Sequence, residues 1–445
     1  MKEQSENNVL SIGLMLFALF FGAGNLIFPP FLGQAAGDHF WTAILGFLIT
    51  GVGLPLLGVV AVAYSGGSLQ TIAGKIHPKF GIFFTFLVYL VIGPLFALPR
   101  TGTVSFELMS GFLPDSLKGE NWPLIVYTFL YFAVTLWLSI NPSKLVDIIG
   151  KILTPILFIA ITLLFIKGLI TPIGDFGQPT ELYAKHSFFK GFVEGYLTMD
   201  TLGALVFGIV VVQAVKERGV TDPKQISFNT VKAGIIAALG LAFVYLVLGY
   251  LGATSQSLGS AENGGQILSK VSYHLFGGAG AILLSVVVTL ACLTTSIGLS
   301  TACAQYFSER IPKASYNMML IITIGFSLVV ANFGLTQLIS FSVPVLVAVY
   351  PVAIALIFLS FLDRVFRGYS QVYICTIMAT ALVSVVDGLK AAHLEPGSSI
   401  MNLYGQLPLF NEGMGWLIPA VAGMLFGYLW GLLKHSSSMD KVMES

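Results

Sequence analysis

A few charged and hydroxyl-bearing side chains lie inside long apolar stretches of this sequence, and they are the residues best placed to do chemistry. Arg100 and Glu107 are seven residues apart, which puts them on one face of a helix about 10 Å apart along its axis. Asp200 follows a Thr-Met pair, and Thr294 and Thr295 are consecutive. A charge at the centre of a bilayer costs about 2.5–3.5 kcal/mol on insertion scales, so we expect the charged residues to have a function.

The chemistry open to these side chains is the binding of ions and ammonium groups. A carboxylate at Asp200 can bind a cation, a proton or an ammonium group, or it can accept hydrogen bonds from nearby amides and cap a helix. The hydroxyls of Thr294 and Thr295 are hard oxygen ligands, which suit alkali cations, although threonine also bonds to its own helix and assists packing. Arg100 and Glu107 could hold one helix against its neighbours, act as a gate or proton relay, or bind a substrate carboxylate.

No motif in the sequence predicts an enzyme. It contains no GxxxxGK phosphate loop, no GxSxG and no HExxH, and its six histidines are scattered singly. The cysteines Cys292, Cys303 and Cys375 form no CxxC pair and fall in apolar stretches, so we expect no disulfide and no cofactor. With 22 Lys and Arg against 21 Asp and Glu, the chain lacks the basic surface that nucleic-acid binding requires.

The composition places these residues in a lipid bilayer. Of 445 residues, 56% are hydrophobic and only 10% are charged, which is too little polar surface to cover a water-soluble globule. Apolar runs of about 20 residues predict twelve transmembrane helices. These are expected near residues 9–31, 40–64, 80–112, 123–140, 145–166, 188–215, 231–251, 277–305, 317–332, 335–362, 369–389 and 414–433.

The distribution of Lys and Arg predicts the orientation of these helices. An even number of spans leaves both termini on one side, and most of the 22 Lys and Arg residues fall in loops on that side. Because positive loops stay in the cytoplasm, both termini are predicted to be cytoplasmic, in a multi-pass protein of the plasma membrane. The apolar run at 9–31 is too long for a cleaved signal, so we expect it to be retained.

Two of the predicted spans contain interruptions. The first reads Phe21-Gly-Ala-Gly-Asn25, where the glycines and the asparagine each weaken a helix by about 1 kcal/mol relative to alanine. The sixth reads Glu194-Gly-Tyr-Leu-Thr-Met-Asp-Thr-Leu-Gly203. Small residues for close helix packing would explain one such segment, whereas a break in hydrocarbon must line a cavity or meet neighbouring protein. The recurrence of the interruption favours two broken helices.

The positions of the breaks predict the fold class, an all-α polytopic membrane protein with broken first and sixth helices. We expect two inverted five-helix repeats, 1–168 and 187–362, and two additional helices at 369–433, within one integral membrane domain. In such folds the substrate site lies at the broken helices. The N-terminal ends of half-helices can hold a carboxylate and the C-terminal carbonyls an ammonium or sodium ion, a pairing that suits a zwitterionic amino acid.

Three motifs carry a resemblance to a known family. They read LFFGAGNLIFPP at 19–30, GPLFALPRTG at 93–102 and YLTMD at 196–200. Together they resemble bacterial branched-chain amino acid:cation symporters, and the run GAGNLIFP looks like the unwound first helix of the leucine-transporter fold. The similarity extends over essentially the whole chain.

The resemblance implies a secondary active symporter, not an enzyme, that imports leucine, isoleucine or valine with sodium by alternating access. It further implies a sodium site between the first and eighth spans, because the Leu-Thr-Thr-Ser run resembles the eighth helix of that fold. The residues expected to bind substrate at the two breaks are Gly22, Ala23, Gly24, Asn25, Thr198, Asp200 and Thr201. The expected sodium ligands are the carbonyls of Ala18, Phe21 and Ala291 and the hydroxyls of Thr294 and Thr295.

Two alternatives stay open at the level of sequence. In the first, a carrier of the same fold is coupled to protons, with Asp200, Glu107 or Glu194 loading the proton while the threonines only pack. In the second, the protein is a channel, although channels have no need of paired broken helices. The expected partners are a branched-chain amino acid, sodium or a proton, and the lipid bilayer.

Overall fold

The computed structural model describes residues 2–65, 68–117, 120–140, 144–394 and 397–443, with the side chains of all these except 2–8, 115, 144–154, 223, 398–400 and 435–443. In this part of the chain every regular element is helical and no strand occurs, which confirms the predicted all-α class. The α-helices are α1 (Lys2–Phe20), α2 (Ala23–Ala36), α3 (Phe40–Leu48), α4 (Leu54–Tyr64), α5 (Leu69–Gly74), α6 (Pro78–Leu90), α7 (Ala97–Ser110), α8 (Trp122–Ile140), α9 (Lys144–Ile170), α10 (Glu181–Glu194), α11 (Asp200–Glu217), α12 (Pro223–Ala253), α13 (Gly264–Arg310), α14 (Tyr316–Ala331), α15 (Leu335–Leu362), α16 (Ser370–Ala391), α17 (Ser398–Tyr404) and α18 (Leu417–Met443).

The lengths and hydropathy of the helices are those of a protein that crosses a membrane many times. Among the residues described, eight helical segments are long and apolar enough to span a bilayer. The number is nine if Glu181–Thr198 and Asp200–Glu217, which are bent by 45° relative to each other, form one span. Three further apolar helices are shorter, at Val9–Phe20, Pro155–Ile170 and Tyr316–Ala331. The polytopic membrane class is confirmed, while the count of twelve spans stays a prediction.

The predicted interruption of the first span is present. Phe21 and Gly22 separate α1 from α2, and Gly22 is extended, with φ −123° and ψ −169°. The Gly22 N–H donates to Asn25 Oδ1 at 2.8 Å instead of continuing the helical ladder. Glycine loses the most backbone entropy in a helix, and asparagine competes with the backbone for hydrogen bonds, so the helix breaks at these residues. The second half, α2, continues through Pro29 and Pro30.

The predicted interruption of the sixth span is present as well. After α10 the chain forms a 3-10 turn over Gly195–Thr198, and Met199 then adopts a left-handed conformation with φ 64° and ψ 9°. A non-glycine residue in this region is uncommon and marks a tight change of direction. The next half-helix, α11, begins at Asp200.

A third interruption, which the hydrophobic pattern does not predict, divides the third span. Between α6 and α7 lies a π-helical turn, Val91–Leu95, in which Gly93 leaves helical geometry and is followed by Pro94. Proline lacks the N–H of the helical ladder, and glycine tolerates the non-helical dihedrals that result. The helix α13 is also bent at Gly277, where the predicted eighth span begins, because this residue has a φ of +66°.

The chain groups into two compact units. One comprises Met1–Gly53, Val88–Asp200 and Lys232–Ser340, and it contains both predicted breaks. In this unit α10 packs on α3, and α13 packs on α2 and α7. The other comprises Leu54–Leu87, Thr201–Val231 and Phe341–Ser445, where α16 packs along α18. This division does not follow the predicted inverted repeats, which stay a prediction.

Candidate functional site

The two breaks meet at a glycine. We call Phe21–Asn25 the first break and Gly195–Asp200 the sixth break. A Cβ atom at Gly24 would lie 3.1 Å from the Thr198 carbonyl oxygen and 3.3 Å from Thr198 Cα. Both distances are shorter than the separation of about 3.5–4.0 Å at which non-bonded carbon atoms pack best. Gly24 therefore permits the backbones of the two breaks to touch.

A buried polar triangle joins the breaks beside this contact. Asn25 Nδ2 donates to Asp200 Oδ2 at 2.7 Å and to the Tyr245 hydroxyl, and that hydroxyl donates to the same Asp200 oxygen at 2.5 Å. Asn25, Asp200 and Tyr245 are 1%, 5% and 0% exposed. The carboxylate of the sixth break is thus bonded directly to the first break and to α12.

Asp200 uses only one of its two carboxylate oxygens in the triangle. Both bonds of the triangle end on Oδ2, and Oδ1 takes no part in it. Each oxygen of an ionised carboxylate can accept hydrogen bonds, so Oδ1 is the oxygen of this side chain that is best placed to accept an ammonium group or a cation.

Tyr245 is the member of the triangle that the sequence analysis missed. It lies in the apolar helix α12, far in sequence from either break. The one available signal is general: a tyrosine hydroxyl that becomes buried usually finds a hydrogen-bond partner. That rule does not say which partner is chosen.

The other residues predicted to bind substrate lie at or next to the breaks. The Thr198 hydroxyl donates to the Gly195 carbonyl at 2.9 Å, and its oxygen accepts the Asp200 N–H at 3.4 Å, so it is used within the sixth break. Ala23 is buried at the start of α2, and Thr201 is fully buried in the first turn of α11.

Arg100 contacts the sixth break, and Glu107 contacts the start of α13. Arg100 is 1% exposed; its Nη1 donates to the Leu197 carbonyl at 2.6 Å, and the guanidinium lies 4.9 Å from the centroid of the Phe28 ring. The contact with a carbonyl of the broken helix is one of the roles that the sequence allowed. About two turns further along α7, Glu107 Oε1 accepts hydrogen bonds from Asn263 Nδ2 at 3.2 Å and from Gln266 Nε2 at 2.8 Å.

The backbone at the first break offers opposite partial charges on its two sides. The amides of Ala23 and Gly24 begin α2, and the first amides of a helix have no partner within it, so they attract an anion. On the other side, the Gly22 N–H donates to Asn25 and not to the Ala18 carbonyl that an unbroken helix would give it. The carbonyls at the end of α1 attract a cation.

The predicted sodium ligands on α13 lie next to those carbonyls. The Thr295 hydroxyl is 3.4 Å from the Phe21 carbonyl oxygen and 3.2 Å from the Ala291 carbonyl oxygen. The Thr294 hydroxyl donates to the Ala291 carbonyl at 2.8 Å. A Cβ atom at Gly22 would lie only 3.2 Å from Thr295 Cγ2, so the glycine keeps this approach open. Hydroxyl and carbonyl oxygens thus converge between the first break and α13.

A small cavity of about 90 Å³ lies beside the breaks. It is lined by Ile27, Phe28, Phe31, Glu194, Leu197, Glu262, Asn263, Gly264, Thr336 and Ile339. Its walls are mostly apolar. Glu194 is already held by two partners, since Tyr183 donates to its Oε2 at 2.5 Å and Lys190 Nζ lies 3.3 Å from its Oε1.

Comparison with known proteins finds matches along nearly the whole chain. The family model described as "Branched-chain amino acid transport protein" matches residues 5–434. Branched-chain amino acid permease BraB of Bacillus subtilis is 52% identical over 425 residues, 95% of each chain. Permease BrnQ of the same organism is 50% identical over 98% of this chain and 100% of its own, and BrnQ of Escherichia coli K12 is 44% identical over 95% of each.

Solved structures with a similar fold come from a transporter called Mhp1. The inward-facing conformation of Mhp1 matches with a TM-score of 0.61 at 14% identity, over 96% of this chain and 91% of that one. Mhp1 in a closed conformation with bromovinylhydantoin bound, described as a nucleobase-cation-symport-1 family transporter, matches with a TM-score of 0.60 at 13% identity, over 96% and 93%. At this identity the likeness concerns the fold, which is leucine-transporter-like.

Proposed function

Because this chain belongs to the branched-chain amino acid transport protein family, we propose that it is a symporter that imports leucine, isoleucine or valine together with sodium. Its relatives are named transporters and permeases, so the protein is a multi-span membrane transporter and not an enzyme. The observation that carries the finer proposal is the meeting of two broken helices at a buried carboxylate that uses only one of its oxygens in the bonds joining them.

The substrate lies at the meeting point of the breaks in this proposal. Its carboxylate binds the amides of Ala23 and Gly24 at the start of α2, and its ammonium binds Asp200 Oδ1. The two charges of the amino acid are then matched by a helix N-terminus and a carboxylate, which is the pairing that a zwitterion needs. Support comes from the burial of Asp200 and from Asn25 and Tyr245, which both donate to its Oδ2.

Sodium binds between the first break and α13. Its ligands are the carbonyls of Ala18, Phe21 and Ala291 and the hydroxyls of Thr294 and Thr295. All are neutral, hard oxygens, which is the ligand class that suits an alkali cation. The 3.4 Å separation between Thr295 Oγ1 and the Phe21 carbonyl oxygen supports this placement.

Transport follows from alternating access around this site. We place the protein in the plasma membrane with both termini in the cytoplasm, and we assign 1–168 and 187–362 as inverted repeats followed by two helices at 369–433. Rocking of one helical bundle against the rest opens the breaks to each side in turn. Arg100 holds α7 against the sixth break through the Leu197 carbonyl during this movement.

The experiment that tests the proposal is uptake of radiolabelled leucine into proteoliposomes under separately imposed sodium and proton gradients. An inward sodium gradient should drive accumulation at equal pH on both sides. A proton gradient without sodium should not. Uptake that saturates and that exchanges with unlabelled leucine inside identifies a carrier, whereas uptake that rises linearly with concentration would identify a channel and overturn the proposal.

A second candidate is coupling to protons through Asp200. It is favoured by one observation, the 5% exposure of Asp200, because a buried charge is costly and a bound proton removes it. The other two carboxylates weighed for this role have partners elsewhere, Glu107 with Asn263 and Gln266, and Glu194 with Tyr183 and Lys190. Accumulation of leucine driven by a proton gradient in the absence of sodium would select this candidate.

A further inference from the structure

We propose that Tyr245 is a positioning residue for substrate recognition: its hydroxyl occupies Asp200 Oδ2 and so turns Oδ1 toward the ammonium group of the substrate. The inference rests on the proposed function, because it concerns how the same carboxylate is presented. Nothing in the sequence patterns or in the family match singles out this tyrosine.

The inference is based on the two hydrogen bonds that Asp200 Oδ2 accepts. Oδ2 accepts from both Asn25 Nδ2 and the Tyr245 hydroxyl, and neither of them bonds to Oδ1. Two donors on one oxygen fix the rotation of the carboxylate about its own axis. Without the hydroxyl, one of these two donors is lost, and the carboxylate can turn so that either oxygen accepts from Asn25.

The tyrosine ring is itself held in place by the second span. The Tyr245 ring packs edge-on against the Phe47 ring, with centroids 5.2 Å apart and planes at 78°. A Cβ atom at Gly51 would lie 3.1 Å from Tyr245 Cε2, so the ring fills the space that this glycine leaves. Gly51 lies in the π-helical turn Ile49–Gly53, and such turns often occur at functional sites. The ring is therefore held by α12 and the second span, while the hydroxyl bonds to residues of both breaks.

The orientation of the Asp200 carboxylate can be tested separately from the packing of the Tyr245 ring. Because the ring contacts and the hydroxyl contacts involve different partners, Tyr245→Phe keeps the first and removes the second. A substrate analogue makes the same separation on the ligand side. The 2-hydroxy acid that carries the leucine side chain keeps the carboxylate and the isobutyl group but lacks the ammonium that Asp200 Oδ1 would bind.

The test compares the affinities of purified wild type and Tyr245→Phe for leucine and for this 2-hydroxy acid, in the same sodium concentration. Loss of the hydroxyl should weaken leucine binding about 10- to 150-fold, the range that corresponds to a hydrogen bond to a charged group. Binding of the 2-hydroxy acid should change by less than about threefold, since its neutral hydroxyl offers Oδ1 one uncharged donor in place of an ammonium group. Equal weakening of both ligands, or unchanged leucine binding, would overturn the inference.

Tyr127→Phe is the matched control. The Tyr127 hydroxyl also bonds to two side chains, Ser105 at 2.5 Å and Thr289 at 3.3 Å, but it contacts neither break. Its removal should leave the ratio of leucine to 2-hydroxy acid affinity as in the wild type. A change in that ratio equal to the change in Tyr245→Phe would show that loss of any buried hydroxyl is enough, and would overturn the inference.

A second pair of variants tests the idea without touching the tyrosine. Gly51→Ala places a methyl group against the Tyr245 ring and should shift the hydroxyl, so the leucine preference should fall in the same direction, by a smaller factor. Gly53→Ala lies in the same turn, where the nearest atom to a new Cβ is the Leu48 carbonyl oxygen at 3.9 Å, and it should have no effect. Identical preferences in the two alanine variants would count against the inference.

Failure of this inference can be told apart from failure of the proposed function. If wild-type protein in proteoliposomes takes up no leucine, the proposed function itself is wrong. If the wild type transports leucine and Tyr245→Phe keeps its preference for leucine over the 2-hydroxy acid, only the role of Tyr245 is wrong.

Discussion

Replacing Thr295 by valine should weaken sodium binding without altering which amino acid is preferred. Valine keeps the β-branched shape of threonine and removes only the hydroxyl. In the structure that hydroxyl reaches across to the Phe21 carbonyl at 3.4 Å, whereas the Thr294 hydroxyl bonds to the Ala291 carbonyl of its own helix at 2.8 Å. We therefore expect Thr294→Val and Thr295→Val both to lose sodium affinity, and Thr295→Val to lose more.

The size of the effect follows from the number and kind of ligands. One neutral oxygen is removed from a proposed set of five, and a hydrogen bond or ligand to a charged group contributes about 1.5–3 kcal/mol. At 25 °C this corresponds to a sodium affinity about 10- to 150-fold weaker. By linkage, sodium and leucine must raise each other's affinity by the same factor, so leucine affinity at low sodium should fall as well. It should recover when sodium is raised to saturation.

The assay is equilibrium binding of radiolabelled leucine to purified protein over a range of sodium concentrations. Thr289→Val is the control, because Thr289 lies on the same helix α13 but bonds to Ser105, at 2.9 Å, away from the first break. Competition with isoleucine and valine in each variant measures the substrate ranking.

The result that would refute the reasoning is a Thr295→Val protein with wild-type sodium dependence. A changed ranking of leucine, isoleucine and valine would refute it too, because the hydroxyl would then contact the substrate. If Thr289→Val had the larger effect on sodium dependence, the cation site would lie elsewhere along α13.

Three further outcomes are expected. Gly24→Leu should abolish leucine binding while the protein still inserts, because any side chain there meets the Thr198 backbone within 3.3 Å; leucine affinity equal to wild type in folded Gly24→Leu protein would contradict the role of the contact. Asp200→Asn should reduce uptake far more than expression, and unchanged uptake with an unchanged pH profile would reduce Asp200 to a helix cap. Arg100→Lys should lower uptake about tenfold or more, because a single ammonium reproduces neither the contact of the guanidinium with the Phe28 ring nor its fixed fork of donors. Equal uptake by the lysine variant would show that charge alone is needed.

The sequence by itself determined the properties that depend on composition and on neighbouring residues. The all-α membrane class follows from hydropathy, which is summed over about 20 consecutive residues. Both breaks follow from glycine, asparagine and threonine at 21–25 and 194–203, since helix propensity acts within a turn or two. Membership of a transporter family was visible for the same reason, because its motifs are short continuous runs.

The tertiary structure decided which side chains act together. Tyr245 lies 45 residues from Asp200 and 220 from Asn25, and no local pattern ties three such positions to one carboxylate oxygen. Arg100 and Glu107 share a helix face, yet they take partners from different parts of the chain. Such pairings depend on the way separate helices pack, which is a property of the whole fold. The sequence shows which polar residues cost free energy when they are buried. Only the packed structure shows which hydrogen-bond partners offset that cost.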